Sequence, residues 1–441
     1  MINAEKKERF SLCLVLFYFA GFAFLMSYLG GQPDQGLHQP LSLRFMETWG
    51  IPIEDTSFNV ISRTPYLTYW INGAVGKLYL FFFPGKNSVT ELIRLWRFIS
   101  IITSMITLFF LYKLTKRLTR NGFLGVIAAF CLGNTIMFVF VSSGISYDNL
   151  MNLSSIASIY YLVKIYQNED FVLNSIILGI WLALGPLAKE QALLLTFLIF
   201  LAYIYFVSRN FRKINLKFSR RYVLPTIMLL FLLVLLLLLY GKNVLIYGKL
   251  VPECSQLKAA DLCTRFMYRR EQYQPKSIGW YWTSIHSLNN PFQYFFSFWF
   301  LQMIQSIWGI ISHNTYVSMA FTSLHGYLLI WSFIVSICYW DRKEVIQNIL
   351  LKILLAYTLF IFLMNYKTWV DYDFRHYAVQ GRYLFPVIGI LISMTLNNFM
   401  KINNLLIKKV TLSIMIIVYF LSGGGLFWLK YGGVFANWKI F

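Results

Sequence analysis

Long apolar runs separated by short basic clusters follow one another along this chain. Several runs approach the roughly 20 residues that an α-helix needs to cross about 30 Å of hydrocarbon. The pattern predicts an all-α, polytopic membrane protein with about eleven transmembrane helices. The predicted crossings cover residues 10–30, 92–112, 121–141, 147–166, 171–186, 190–208, 222–240, 318–340, 346–366, 383–399 and 410–429.

Two further apolar stretches are predicted to lie at the membrane surface or to re-enter it. Residues 66–83 carry Lys77 and an aromatic edge, which suit an interfacial helix. As a crossing, residues 292–311 would place Arg342 and Lys343 on the outer side, against the bias of basic residues toward the cytoplasm.

The basic clusters predict the orientation, because cytoplasmic loops carry an excess of Lys and Arg. The N-terminus and the basic loops at 113–120, 209–221 and 401–409 are therefore expected on the cytoplasmic side. The chain then forms one integral membrane domain over 1–441. Its interfacial helices belong to a first outer loop at 31–91 and a large outer loop at 241–317.

Composition supports a membrane protein and excludes other classes. Residues are 58% hydrophobic and only 13% charged, whereas ordinary soluble domains have about 25% charged residues. The net charge of +21 would suggest nucleic acid as a partner of a soluble protein. Here the basic excess lies in short loops between spans, so membrane lipids are the expected surroundings and no nucleic acid is expected.

Two of the five cysteines, Cys254 and Cys263, lie close together in the large outer loop. That loop is expected in an oxidising compartment, where a disulfide is favoured over two free thiols or a metal site without nearby His. We predict a structural disulfide.

The candidate chemistry lies in polar residues beside the spans. A charge at membrane depth is costly, so such residues are candidates for a functional site. Asp34 and His38 follow the first span, and Arg382 precedes a late one. Arg94 and Arg97 share a helix face and are interpreted as interfacial anchors instead.

Five polar motifs resemble those of C-type (GT-C) membrane glycosyltransferases. The resemblance lies in the order of the motifs along the chain and in their shared position on the predicted outer side. These enzymes use polyprenyl-phosphate-linked sugars and include protein O-mannosyltransferases and the lipid A aminoarabinose transferase. The chain looks closest to their uncharacterised bacterial relatives. The motifs are Pro33-Asp34-Gln35-Gly36-Leu37-His38, Arg63-Thr64-Pro65-Tyr66-Leu67-Thr68-Tyr69-Trp70, Ser146-Tyr147-Asp148-Asn149, Leu187-Ala188-Lys189-Glu190-Gln191 and Gln380-Gly381-Arg382-Tyr383.

The resemblance implies an inverting hexosyl or pentosyl transferase of the bacterial cytoplasmic (inner) membrane, with its active site facing outward. Its donor is a polyprenyl-phosphate sugar, and its acceptor is a glycan, lipid or protein of the cell envelope. The carboxylate of Asp34 is the expected base for the acceptor hydroxyl, and a helix cap is its alternative role. Relatives often have Asp-Glu in the first loop, whereas Gln35 follows Asp34 here, which weakens a metal or second-carboxylate role.

Basic residues are expected to bind the donor phosphate, because a planar guanidinium binds phosphate oxygens in a bidentate way. Arg382 is the first candidate, Lys189 the second, and Arg375 and Arg63 follow. Each basic residue has an alternative interpretation as a side chain that extends to lipid headgroups.

Several neighbouring residues are expected to contact substrate. His38 shares a helix face with Asp34 if the segment is helical, but Gly36 and Pro40 favour a loop equally. Asp148 is either a helix cap or a sugar contact. No cofactor is predicted with certainty, and a divalent metal stays open. The predicted substrate contacts are His38, Asp148, Asn149, Glu190, Gln380 and Tyr383.

Two other functions compete with glycosyl transfer. A transporter or flippase of lipid-linked sugars would need polar residues through the midplanes of the spans, yet the long spans are nearly free of charge. An oligosaccharide polymerase or ligase normally has its dominant outer loop late in the chain, which the 241–317 loop fits loosely.

Overall fold

The computed structural model describes residues 2–29, 35–49, 65, 67–85, 88–213, 219–252, 256, 278–286, 290–312, 315–316, 319–339, 344–371, 374 and 379–436. This part of the chain is almost entirely helical. The helices of the first half are α1 (Ile2–Tyr28), α2 (Gln35–Thr48), α3 (Leu67–Phe82), α4 (Val89–Thr119), α5 (Gly122–Gly133), α6 (Ile136–Ser142), α7 (Asp148–Tyr166), α8 (Phe171–Ala188) and α9 (Ala192–Asn210).

The second half continues in the same way. Its helices are α10 (Val223–Leu236), α11 (Lys242–Tyr247), α12 (Ile278–Ile285), α13 (Pro291–Tyr294), α14 (Phe300–Trp308), α15 (Met319–Cys338), α16 (Val345–Asp371), α17 (Phe385–Met400), α18 (Leu405–Phe420) and α19 (Leu426–Ala436). Turns of π-helix join α10 to α11, α13 to α14 and α18 to α19, at Leu237–Gly241, Phe295–Trp299 and Leu421–Gly425. Turns of 3₁₀-helix lie at Phe211–Lys213, Arg220–Tyr222 and Gly381–Leu384.

One small antiparallel pair of strands, β1 (Ile310–Ser312) and β2 (Thr315–Tyr316), follows α14. Ile310 lies opposite Tyr316, and Ser312 lies opposite Thr315. The all-α fold class is confirmed.

Eight helices of the described chain are long and apolar enough to cross a membrane, and a ninth is added if the bent pair α5 and α6 forms one span. The protein is a multi-pass membrane protein. The eight are Glu5–Tyr28, Val89–Thr119, Phe171–Ala188, Ala192–Asn210, Arg220–Tyr247, Val345–Asp371, Gly381–Met400 and Leu405–Tyr431.

Helices occupy all eleven predicted windows, but the count of eleven crossings is not confirmed. Helix α15 has an apolar part of limited length, Thr322–Cys338. Helix α7 carries too many polar residues to resemble a lipid-facing span. The helix predicted over 66–83 is present as α3, and its surface position stays a prediction.

Helix α7 lies at the centre of the bundle, where it packs against α4, α8, α9 and α17. Nearly all of its residues are buried, including the polar Asn152, Ser155 and Ser158. These side chains face protein and not lipid. The hydropathy of α7 therefore does not reveal its buried position, because its polar side chains contact other helices.

The bend between α5 and α6 has an angle of 73°. Gly133, Asn134 and Thr135 interrupt the apolar sequence at this point. The Asn134 Oδ1 atom accepts hydrogen bonds from the Tyr18 hydroxyl at 2.8 Å and the Gly424 backbone N–H at 3.3 Å. Irregular backbone inside a membrane protein is tolerated where protein groups supply such partners.

Helices α2 and α3 pack against each other, and α3 also packs against α4. The Asn72 side-chain amide donates to the Ser42 hydroxyl at 2.9 Å, and the Trp96 indole donates to the Asn72 carbonyl at 2.7 Å. Arg97 donates to the Gln35 side-chain oxygen at 2.9 Å and to the Ser27 carbonyl at 2.7 Å. Arg97 therefore attaches the start of α2 to α1, a role that the sequence did not indicate.

Close packing of α4 and α5 requires a glycine at position 125. A Cβ atom there would lie 2.6 Å from the Tyr112 carbonyl oxygen. We expect Gly125→Ala to lower the midpoint of thermal unfolding in detergent, by a free energy of about 1–3 kcal/mol.

The matched control is Gly21→Ala in α1, where an added Cβ meets no atom within 4 Å. This change should leave stability the same or raise it, since alanine is the better helix former. Equal midpoints for the two variants would contradict the close approach.

Candidate functional site

A buried carboxylate, Asp148, lies between two buried cations. Its Oδ1 atom is 2.5 Å from the Lys189 ammonium nitrogen, and its Oδ2 atom is 3.6 Å from a guanidinium nitrogen of Arg382. The exposed fractions are 1% for Asp148, 2% for Lys189 and 4% for Arg382. Three residues far apart in sequence therefore form one ionic cluster, which we call the Asp148 cluster.

Local structure places each member of the cluster. Asp148 is the first residue of α7, and its backbone N–H donates to the Ser146 hydroxyl at 3.1 Å. Tyr147 is the cap residue of α7, and no side chain caps the helix. The carboxylate of Asp148 thus pairs with Lys189 and Arg382, and the helix-cap interpretation is wrong.

Lys189 ends α8 in an extended backbone conformation, with φ −155° and ψ 133°. Arg382 belongs to the 3₁₀ turn before α17. This turn is attached to α14, because the Gly381 N–H donates to the Ser306 hydroxyl at 2.6 Å. A Cβ atom at Gly381 would lie 2.8 Å from the Ile307 backbone nitrogen, so only glycine fits this close approach.

Two tyrosine rings lie beside the cations. The Lys189 ammonium lies 4.5 Å from the centre of the Tyr147 ring and 5.2 Å from that of Tyr383. The Arg382 guanidinium lies 5.7 Å from the Tyr383 ring centre. Cations at such distances are attracted by the negative face of the ring. The Tyr357 hydroxyl donates to the Tyr383 carbonyl at 3.1 Å, which holds this residue in place.

His38 connects the first loop to the Asp148 cluster. Its Nδ1 atom lies 2.8 Å from the Tyr69 hydroxyl, and its ring meets the Tyr147 ring edge-on, with centres 4.5 Å apart. The chain is helical from Gln35, so the loop alternative for this segment is wrong. His38 is buried, at 1% exposure.

The other predicted substrate contacts differ in their surroundings. The Asn149 side chain donates to the Val141 carbonyl at 3.2 Å and accepts from the Ser104 hydroxyl at 3.3 Å. Its amide therefore bridges α7 to α4 and α6. Glu190, Gln380 and Tyr383 are half-buried and are chain neighbours of Lys189 or Arg382.

Five predicted residues lie outside the described part of the chain: Asp34, Arg63, Arg375, Cys254 and Cys263. Their roles stay predictions, including the catalytic base and the disulfide. The described residues hold no group of three or more His, Cys, Asp or Glu side chains arranged for a metal ion.

Sequence reasoning missed the aromatic and hydroxyl residues that support the site. Tyr69 and Tyr147 lie within the motifs, but no role was predicted for them. Ser306 and Tyr357 belong to no motif. Two positions in the sequence could have indicated these tyrosines: Tyr147 precedes Asp148, and Tyr69 lies in the predicted first outer loop. No sequence pattern indicated Ser306 or Tyr357.

The arrangement is suited to binding an anion. The three charged side chains of the Asp148 cluster sum to one positive charge, and they are withdrawn from water. Charged donors held in such a place interact strongly with a developing oxyanion, because little solvent has to reorganise.

Residues 89–240, about a third of the chain, match the family model described as dolichyl-phosphate-mannose-protein mannosyltransferase. None of the curated proteins compared matches the sequence. The solved structure of ArnT from Cupriavidus metallidurans bound to undecaprenyl phosphate is similar, with 11% identity and a TM-score of 0.50. That match covers 97% of this chain and 66% of ArnT.

The oligosaccharyltransferase of Archaeoglobus fulgidus has a similar structure as well. Its apo form matches at 12% identity and a TM-score of 0.51, over 93% of this chain and 56% of that one. Its complex with Zn and sulfate matches at 14% identity and a TM-score of 0.50, over 92% and 52%.

The family model matches part of the chain, and the chain shares its fold with these solved structures, in agreement with the expectation from the motifs. At these identities the solved structures establish the fold. The chain spans about half to two thirds of their length.

Burial makes the Asp148 cluster sensitive to the loss of one partner. We expect Asp148→Asn to destabilise the protein by about 3–5 kcal/mol, because Lys189 and Arg382 would keep their charges without the carboxylate. The midpoint of thermal unfolding in detergent measures this loss.

A double variant, Asp148→Asn with Lys189→Met, should lose less than the sum of the two single changes. The exposed pair Glu5 and Arg9 is the control, since Glu5→Gln removes an ion pair at the surface and should change little. Additive losses for the buried pair would contradict the coupling.

Proposed function

We propose that the protein transfers one sugar, a hexose or a pentose, from a polyprenyl-phosphate donor to a cell-envelope glycan, lipid or protein. The Asp148 cluster carries this proposal, because it holds two cations together in a GT-C fold. The family match over 89–240 supports it, since that segment contains Asp148 and Lys189.

In this proposal Arg382 and Lys189 bind the phosphate of the donor. The guanidinium contacts two phosphate oxygens, and the ammonium contributes a point charge. Asp148 pairs with both groups and orients them. Arg375 and Arg63 are proposed to extend the same basic surface.

Asp34 is the proposed base. Its carboxylate takes the proton of the acceptor hydroxyl as that oxygen bonds to the anomeric carbon of the sugar. The bond between the anomeric carbon and the phosphate oxygen breaks, and the electron pair leaves with the phosphate. Support comes from His38, four residues further along, which lies beside Tyr147 next to Asp148.

The remaining predicted contacts take supporting roles in this scheme. Glu190, Gln380 and Tyr383 are chain neighbours of the two cations and are proposed to contact the sugar or the acceptor. His38 and Asn149 are buried and held by protein partners. They are proposed to shape the site around the substrate.

We further propose the location that the resemblance implies, a bacterial inner membrane, and the orientation that the basic loops indicate, with a cytoplasmic N-terminus and an active site on the outer face. The outer loops are then 31–91 and 241–317.

A divalent metal is a separate proposal. Adding a chelator to the transfer assay tests whether the reaction needs one.

A flippase is not favoured, because the matched family and structures are transferases by name. Because the fold is similar to that of an oligosaccharyltransferase, the main alternative to transfer of one sugar is transfer of a longer glycan. A donor panel that includes diphosphate-linked oligosaccharides separates the two kinds of transfer.

The first test of the proposed function measures sugar transfer by the Arg382→Lys variant. Lysine keeps the positive charge beside Asp148 but loses the planar fork, so we expect kcat/KM to fall about a hundredfold. Transfer is measured with the full chain in lipid and labelled polyprenyl-phosphate sugars. Exposed Arg212 lies in the turn after α9, and Arg212→Lys should keep full activity. Equal activity of both variants would remove Arg382 from phosphate binding.

Asp34→Asn separates chemistry from binding. We expect transfer to fall to background while the donor still binds, because the amide cannot accept the proton at neutral pH. Binding is measured by competition with labelled polyprenyl phosphate. Transfer at the level of the unchanged protein would show that another group is the base.

A further inference from the structure

A cavity lies at the opposite end of α7 from the Asp148 cluster. It has a volume of about 750 Å³ and is lined by the ends of α4, α7 and α9 and by the start of α16. Asp148 opens α7 and Tyr166 closes it, a separation of about 27 Å along the helix axis. The two sites are therefore distinct.

The lining of this cavity is basic. Three arginines, Arg117, Arg120 and Arg209, face one carboxylate, Glu344. Glu344 already pairs with Lys401, at 3.2 Å. The lining therefore has an excess of positive charge.

The three arginines differ in how far they are already engaged. Arg117 donates to Glu169 at 2.8 Å and to Gln167 at 2.6 Å. Arg209 stacks on Tyr205, with its guanidinium 5.2 Å from the ring centre. Among the described residues, neither Arg120 nor Arg209 has an ion pair, and both are exposed. Their charges are available to a ligand.

The same cavity has an apolar side. Leu118, Phe206, Val345 and Ile346 line it together with the arginines. Helices α4, α9 and α16 are long enough to cross the membrane and end or begin here. The cavity therefore lies where hydrocarbon gives way to lipid headgroups.

We propose that this cavity binds an anionic phospholipid, with the phosphate headgroup at Arg120 and Arg209 and the upper acyl chains along the apolar residues. Basic pockets between transmembrane helices suit anionic headgroups. The apolar lining favours a lipid over a soluble phosphate. Acyl chains can cover the apolar side chains, whereas inorganic phosphate would place a charge beside them. On the proposed orientation, the lipid belongs to the inner leaflet.

Native mass spectrometry of the full chain with phosphatidylglycerol tests the proposal. The double variant Arg120→Gln with Arg209→Gln should bind this lipid about tenfold or more weakly. The control double variant, Arg9→Gln with Arg212→Gln, removes the same charge from exposed positions outside the lining and should bind normally. A third variant, Arg120→Lys with Arg209→Lys, keeps the charge and should retain most of the binding.

Three results would overturn the proposal. Equal lipid binding by the Arg120/Arg209 and Arg9/Arg212 glutamine variants would show that the cavity is not the site. Equal retention of phosphatidylcholine and phosphatidylglycerol would exclude selection by charge. Displacement of the lipid by millimolar inorganic phosphate, dependent on Arg120 and Arg209, would assign the cavity to a soluble anion instead.

Discussion

The ion pairs of Asp148 hold the candidate site together. An exposed ion pair contributes little to stability, because water solvates both charges. Asp148, Lys189 and Arg382 are almost completely buried, so each charge depends on its partners to offset the loss of water. This requirement joins the start of α7, the end of α8 and the turn before α17 in one arrangement.

Much of the fold was predictable, because apolar length is a local property of the sequence. Helices appear in every window that hydropathy indicated. Helix α7 shows the limit of that reasoning. Its Asn and Ser residues are buried against other helices, and hydropathy does not distinguish a neighbouring helix from lipid.

The site was predictable as a set of residues and not as a set of contacts. The motifs placed Asp148, Lys189 and Arg382 at the ends of helices, which is where they lie. The sequence did not indicate that Asp148 pairs with both cations, since its position at a helix start also fits a cap. Arg97 is similar: its spacing suggested an anchor, yet its partners Gln35 and Ser27 come from α2 and α1. Such pairings depend on tertiary geometry.

The bend at Asn134 has a consequence for how the chain is made. Its side chain accepts from Tyr18 in the first helix and from Gly424 near the last one. A ribosome delivers Tyr18 and Asn134 to the membrane long before it has synthesised Gly424. The α5–α6 bend must therefore enter the bilayer with one partner still missing. The interior of the bundle is completed only when the late helices arrive, so insertion of the early helices and final packing are separate events.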